Sequence, residues 1–323
     1  MTRYLLLRLA TLAATLLAAS ALVFGALELL PGNAAQVILG ETATPEAVAA
    51  LEQRLGLDRP ATTRYADWLA ALARGEGGQS LFYDEPSLDL LAQRAQVTLP
   101  LALLAMALTT VLALSAGVWA ASRQGRWADL LVMLGSQIGL AVPAFWLAIL
   151  LIGLFAVKLG WVAAGGFPGW SADEGGGLGP GLAALLLPAV ALALVQSAIL
   201  ARVTRSALLE VQREDFVRTA RAKGLSPRAV VWRHVLRNAL LPVLTVAGLQ
   251  FADLLTGTIV VENVFVLPGV GRLVFQAVSN RDLVLVRDVV LVLVALVVAV
   301  HFVLDLLHAW IDPRWRSGPR EPA

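Results

Sequence analysis

Apolar residues collect in six long runs, near 9–30, 98–121, 130–157, 182–201, 239–261 and 285–307, and charges return between them. A helix needs about 20 apolar residues to cross a hydrocarbon layer about 30 Å thick, so each run predicts a membrane-spanning helix. Between the first two runs, residues 31–97 are more polar and open with Pro31-Gly32. Within them "TPEAVAALEQRLGLD" predicts a short helix: Thr44 is suited to cap it, Pro45 suits its first position, and Ala47, Leu51 and Leu55 recur at i, i+4, i+8. A second short helix is predicted over "RYADWLAALARG", ended by Gly75. The segment is too small for a large core of its own and is expected to pack on the membrane part as an external helical subdomain.

Composition fixes the class. The 323 residues are 58% hydrophobic and 15% charged, with a mean hydropathy of +0.76, the balance of an all-α membrane protein with six transmembrane helices rather than of a soluble domain. A net charge of +2 gives no support to a nucleic-acid partner, and without cysteine there is no disulfide, thiolate metal site or cysteine nucleophile.

Lysine and arginine are unevenly shared between alternate loops. With the N-terminus in the cytoplasm, that side carries 16 of the 25, nine of them between Arg202 and Arg237. The other nine lie opposite, five of them in the 31–97 segment, where the positive-inside rule weakens. Both termini are therefore expected in the cytoplasm. The first run could instead begin a secretory signal, since Arg3 and Arg8 precede it and Ala19-Ser20-Ala21 has the form of a cleavage site. Its uncharged continuation through Leu27 favours a retained span.

The basic loop has internal order. Residues 215–223 predict a short helix with Phe216 and Ala220 on one face and Arg218 and Arg221 on another, stopped at Gly224. Ser226 then caps a second helix that begins at Pro227, carries Val230, Val231 and Val235 beside Arg228, Arg233, His234 and Arg237, and leads through Asn238 to Leu241-Pro242 in the fifth run. Cations alone would anchor the loop to the membrane surface and its anionic lipid. A capped turn, a small residue on one face and a fixed offset to the next span exceed what an anchor requires, and favour docking of a cytoplasmic protein.

"FVRTARAKGLS" followed by "RHVLRNALLP" resembles the EAA-type loop of ABC importer permeases, in the dipeptide, oligopeptide and nickel branch. The matching residues are Arg218, Thr219, Ala220, Gly224, His234, Asn238 and Pro242. Arg218 stands where the general motif has its leading Glu, and the Leu-Pro pair lies later than the general spacing, both usual for this branch. Further blocks are similar to the branch's first permease subunit and follow in the same order: "RYLLLRLATL", "ELLPGNAAQVILG", "LGLDRPATTRYADWL", "GEGGQSLF", "QRAQVTLPLALLA", "AVPAFWLAILLIGLFAVKLGW" and "VENVFVLPGVGRLVFQAVSNRD". Glu76-Gly77 stand where the family often has Gly-Asp.

The resemblance implies the ABC importer permease fold. On it, residues 1–30 would be the N-terminal end and first transmembrane helix, 31–97 the external subdomain, 98–307 a five-helix core with its coupling loop at 202–238, and 308–323 a cytoplasmic tail. It also implies a bacterial-type inner membrane, a second homologous permease subunit, two cytoplasmic ABC ATPase subunits and an external solute-binding protein. ATP and Mg would be held by the ATPases, and no cofactor by this chain. The docking residues it implies are Phe216, Arg218, Thr219, Ala220, Arg221, Gly224 and Leu225. Ala220 and Gly224 would act through close approach and turn geometry, and Arg218 and Arg221 through polar contacts. Alternating access would import a di- or oligopeptide or related small solute, with nickel as the alternative.

No G-x-x-x-x-G-K-[ST], H-E-x-x-H or G-x-S-x-G occurs, so this chain is expected to be a non-catalytic subunit. The Gly-rich stretch "GGFPGWSADEGGGLGPG" reads as a flexible external connection. His301 and His308 suit interfacial hydrogen bonding better than a metal site. An Asp at a helix centre costs about 2.5–3.5 kcal/mol on insertion scales. Asp253, near Gln250 and Thr256, therefore either faces a water-filled pathway or hydrogen-bonds to a neighbouring helix. Asp253, Gln250 and Pro143 are the candidates for pathway lining. Pro143 and Pro188 are expected to interrupt their helices, Glu28, Arg287, Asp288 and Asp305 to be interfacial, and Trp146, Trp161 and Trp310 to be interface anchors. An ion-gradient-driven secondary transporter with Asp253 as its coupling site is the rival reading. Internal repeats, frequent in such folds, are not seen.

Overall fold

The computed structural model describes residues 2–29, 35, 39–40 and 43–311. Their regular structure is helical, apart from one isolated bridge between Gln79 and Pro86. In chain order the helices are α1 (Thr2–Glu28), α2 (Pro45–Leu55), α3 (Ala61–Ala73), α4 (Ser87–Ser122), α5 (Trp127–Ala141), α6 (Ala144–Leu151), α7 (Leu178–Val211), α8 (Asp215–Ala222), α9 (Pro227–Val230), α10 (Leu236–Val264), α11 (Val270–Ser279) and α12 (Leu283–Ile311). A π-helical stretch continues α6 over Ile152–Lys158, and another joins α9 to α10 over Val231–Val235.

Five of these helices are long and apolar enough to cross a membrane, and α5 with α6 makes a sixth candidate. The interruption expected at Pro143 is found: α5 and α6, which share the run over 130–157, meet at 101°. A residue before proline is driven out of the helical region. Val142, at φ −91° and ψ 119°, is extended, and Pro143 opens α6. Pro188, by contrast, lies within an uninterrupted α7, where an interruption was expected.

Two compact units divide the chain, Met1–Val97 with Gly269–Ala299, and Thr98–Pro268 with Val300–Ala323. In the first, Leu90, Leu91, Val270, Leu273, Ala277, Leu285 and Val289 form a shared core. Thr44 caps α2, its hydroxyl accepting from Ala47 N at 3.3 Å, and Gly56 ends it at φ +61°. The inward position on α2 is Val48 rather than Ala47, which is exposed. The side chains of Leu51, Leu55, His308 and Trp310, with Pro31-Gly32 and residues 312–323, lie outside the described residues.

Two buried aspartates organise this unit. Asp288, expected to be interfacial, is fully buried and accepts from Trp68 Nε1 at 2.8 Å, Gly78 N at 2.7 Å and Ser87 Oγ at 2.6 Å. Asp282 caps α12 by accepting from Leu285 N at 3.0 Å, and accepts from Ser80 Oγ at 2.6 Å and Phe82 N at 3.2 Å. The "GEGGQS" block is thus a latch, its backbone and serine held by carboxylates at the start of α12.

In the second unit α7 packs against α5, α6 and α10. Gly117 on α4 lets the backbone of α7 approach: a Cβ there would meet Thr204 Cβ at 2.6 Å and Ala201 O at 2.9 Å. Gly139 on α5 does the same against Ala198, at 2.6 Å. Small residues at such crossings let transmembrane backbones pack closely. Thr98 Oγ1 donates to the fully buried Glu262 at 2.6 Å. The Gly-rich loop folds on itself, with the Glu174 carboxylate accepting from Trp170 N at 2.9 Å, and is tied to the end of α10, Gly166 N donating to Phe265 O at 2.8 Å.

Candidate functional site

The segment between α7 and α10 is built as a short bracket. Asp215 in the first turn of α8 and Arg221 in its last complement the helix dipole. Gly224 at φ +80° takes the left-handed turn that side chains disfavour, and Leu225 N returns to Ala220 O. Ser226 then caps α9, its hydroxyl accepting from Ala229 N at 3.3 Å. Asn238 Nδ2 donates to His234 O at 2.7 Å, holding the junction of the π-helical stretch with α10.

The faces of α8 are sharply divided. Val217 and Ala220 are buried in a core with Ala121, Leu200, Leu208, Val235 and Val243. Phe216, Arg218, Thr219, Arg221, Gly224 and Leu225 are exposed. The expected pairing of Phe216 with Ala220 on one face is therefore corrected: Val217 is the inward partner, one residue on, and Phe216 points outward at 43% exposure. Arg218 makes an ion pair with Asp215 at 3.1 Å that is open to solvent, and Arg221 is exposed. The bracket is thus tied to the bundle by its apolar side and offers cations, a hydroxyl and two large apolar side chains outward.

Two of the nine loop cations are not on that surface. Arg205 makes a two-pronged pair with Asp129 of α5, with Nη2 to Oδ2 at 2.7 Å, and Asp129 also accepts from Gly125 N at 3.0 Å. Arg202 Nη2 donates to Ser136 Oγ at 3.2 Å. A counting rule treats all nine alike. The lone Asp129 beside the Arg123–Arg126 turn was the available signal for the pair.

The pathway candidates are dispersed in character. Gln250 is buried and donates to Gln196 O at 3.0 Å across to α7, whereas Asp253 and Pro143 are exposed. His301 belongs to no metal-ligand cluster among the described residues.

The described residues thus form a helical, multi-span protein with a bracketed loop before the fifth candidate span. Residues 113–317 match the family described as binding-protein-dependent transport system inner membrane component, and residues 1–102 match its N-terminal membrane component. The chain belongs to this family, in the branch of peptide ABC importer permeases. It is 37% identical to the dipeptide transport system permease protein of Alkalihalophilus pseudofirmus, over 97% of this chain and 99% of that one. It is 40% identical to the di/tripeptide transport system permease protein of Pseudomonas aeruginosa, over 98% and 99%. Among solved structures, an inward-facing MetNI methionine ABC transporter shares the fold with a TM-score of 0.55 at 21% identity, covering 69% of this chain and 96% of that one.

Proposed function

We propose that this chain is one of two permease subunits of an ATP-driven importer of di- or oligopeptides, and that α8 is the element through which ATPase subunits drive it. The division of α8 into a buried and an exposed face carries this reading. An element that only anchored the loop would not need its inner side packed into the bundle. One that transmits a push does, because force applied at Arg218, Thr219, Arg221 and Leu225 then passes through Val217 and Ala220 to α7 and α10.

On this reading both termini and α8 face the cytoplasm, and the α2–α3 unit faces outward, where a solute-binding protein delivers substrate. A second homologous permease completes the pathway. ATP and Mg are held by the ATPases, and access alternates as they close. The peptide assignment rests on the named relatives; nickel has no support among them. The test is co-purification from native membranes: wild-type protein brings ATPase subunits, and Arg218→Glu with Arg221→Glu loses them while the chain stays in the membrane at normal level. Retention of ATPases by that variant would reduce α8 to an anchor.

A further inference from the structure

A cavity of about 350 Å³ opens within the first unit, at the C-terminal end of α1 and the N-terminal end of α12. That volume lies in the range of small-molecule sites. Its apolar wall includes Phe24, Leu27, Leu283 and Val284, and its polar wall carries two arginines, Arg64 and Arg287, beside Glu28 and the solvent-exposed Arg59–Asp67 ion pair. The two arginines differ in how far the protein satisfies them. Arg64 pairs with Glu28 and donates through Nε to Arg59 O at 3.1 Å. The Arg287 guanidinium carbon sits over the Trp68 ring, 4.6 Å from its centroid, with the side chain only 22% exposed.

The ion pair of Arg287 is incomplete. It reaches Asp288 Oδ1 only through Nε, at 3.4 Å, and that carboxylate already accepts from Trp68, Gly78 and Ser87. Among the described residues, the outer N–H groups of Arg287 meet no acceptor. A guanidinium offers five donors in a planar fork matched to phosphate and carboxylate. Here part of that fork is free, half-sheltered in a cavity whose remaining lining combines the internally paired Arg64–Glu28 and Arg59–Asp67 with the apolar Phe24, Leu27, Leu283 and Val284.

We propose that this cavity binds the phosphodiester headgroup of a membrane phospholipid, with Arg287 and Arg64 on the phosphate and the start of an acyl chain along Phe24, Leu27 and Val284. The location selects a lipid over a soluble anion. Both helices that close the cavity are candidate spans that end there, and the ends of a span lie at the depth of the polar headgroups. A bound lipid would join α1 to α3 and α12 by a bridge additional to the Arg64–Glu28 pair.

The full chain, purified in mild detergent with whatever partners accompany it and washed extensively, is assayed for retained phospholipid by native mass spectrometry. Wild type is expected to hold one phospholipid per chain. Arg287→Gln is expected to bind it about tenfold more weakly; since Asp288 keeps three other donors, this variant should still fold. Val284→Phe fills the cavity with all charges intact and should also lose the lipid. Undiminished retention by both variants overturns the site. In delipidated wild type, a short-chain phosphatidylglycerol should raise the thermal midpoint and inorganic phosphate should not. Equal stabilisation by phosphate alone would overturn the lipid assignment. These readouts are independent of ATPase association, so either proposal can fail without the other.

Discussion

At the residue scale, Asp288 illustrates how far a charged position can mislead when read from sequence alone. A carboxylate a few residues into an apolar run suggests a span end in contact with headgroups. In the fold its oxygens are filled by three protein donors from Trp68, Gly78 and Ser87, groups some 200 residues away in the chain. Asp288→Asn keeps the size but presents an amide N–H to one of those donors, so a loss of about 1–3 kcal/mol is expected, read as a lower thermal midpoint of the detergent-solubilised protein. A substitution at Gly224 would act differently. Nothing crowds a Cβ there, yet the backbone sits at φ +80°. Gly224→Val should therefore strain the turn by about 1 kcal/mol or more and lower uptake through mispositioning of α8, while Gly117→Leu should lower stability by about 1–3 kcal/mol through overpacking against Thr204. Expression-normalised thermal melts separate strain at one turn from a clash at a helix crossing.

At the scale of elements, the α5–α6 break is the feature a hydropathy window cannot see. The run over 130–157 is apolar throughout, so its length alone predicts one span. Only Pro143 signals otherwise, by forbidding a helical Val142. Pro143→Ala removes that restriction, and a spin-label pair at Leu134 and Leu150 should then report an increased distance as the 101° bend relaxes; an unchanged distance would mean that packing of α5 and α6 on α7 holds the bend. The chain has no native cysteine, so labels enter a clean background. The six apolar runs, the caps at Thr44 and Ser226, and the helix–turn–helix of α8 and α9 were legible because each depends on local spacing or local turn chemistry. The inward face of α8, the Arg205–Asp129 pair and the latch on Asp282 and Asp288 were not. They are set by partners far along the chain, and a short amphipathic helix with apolar residues at Phe216, Val217 and Ala220 allows two rotations that only the surrounding bundle decides.

At the scale of the whole molecule, the proposed function is that of a permease whose exposed α8 couples it to ATPases on other subunits. The most direct measurement is peptide uptake into proteoliposomes holding the co-purified assembly with its external binding protein, with and without ATP. Uptake is expected to require ATP, to be abolished by Arg218→Glu with Arg221→Glu, and to survive Asp253→Asn in large part. ATP-independent uptake by the isolated chain, lost in Asp253→Asn and untouched by the α8 substitutions, would contradict the proposed function and establish a gradient-driven transporter instead.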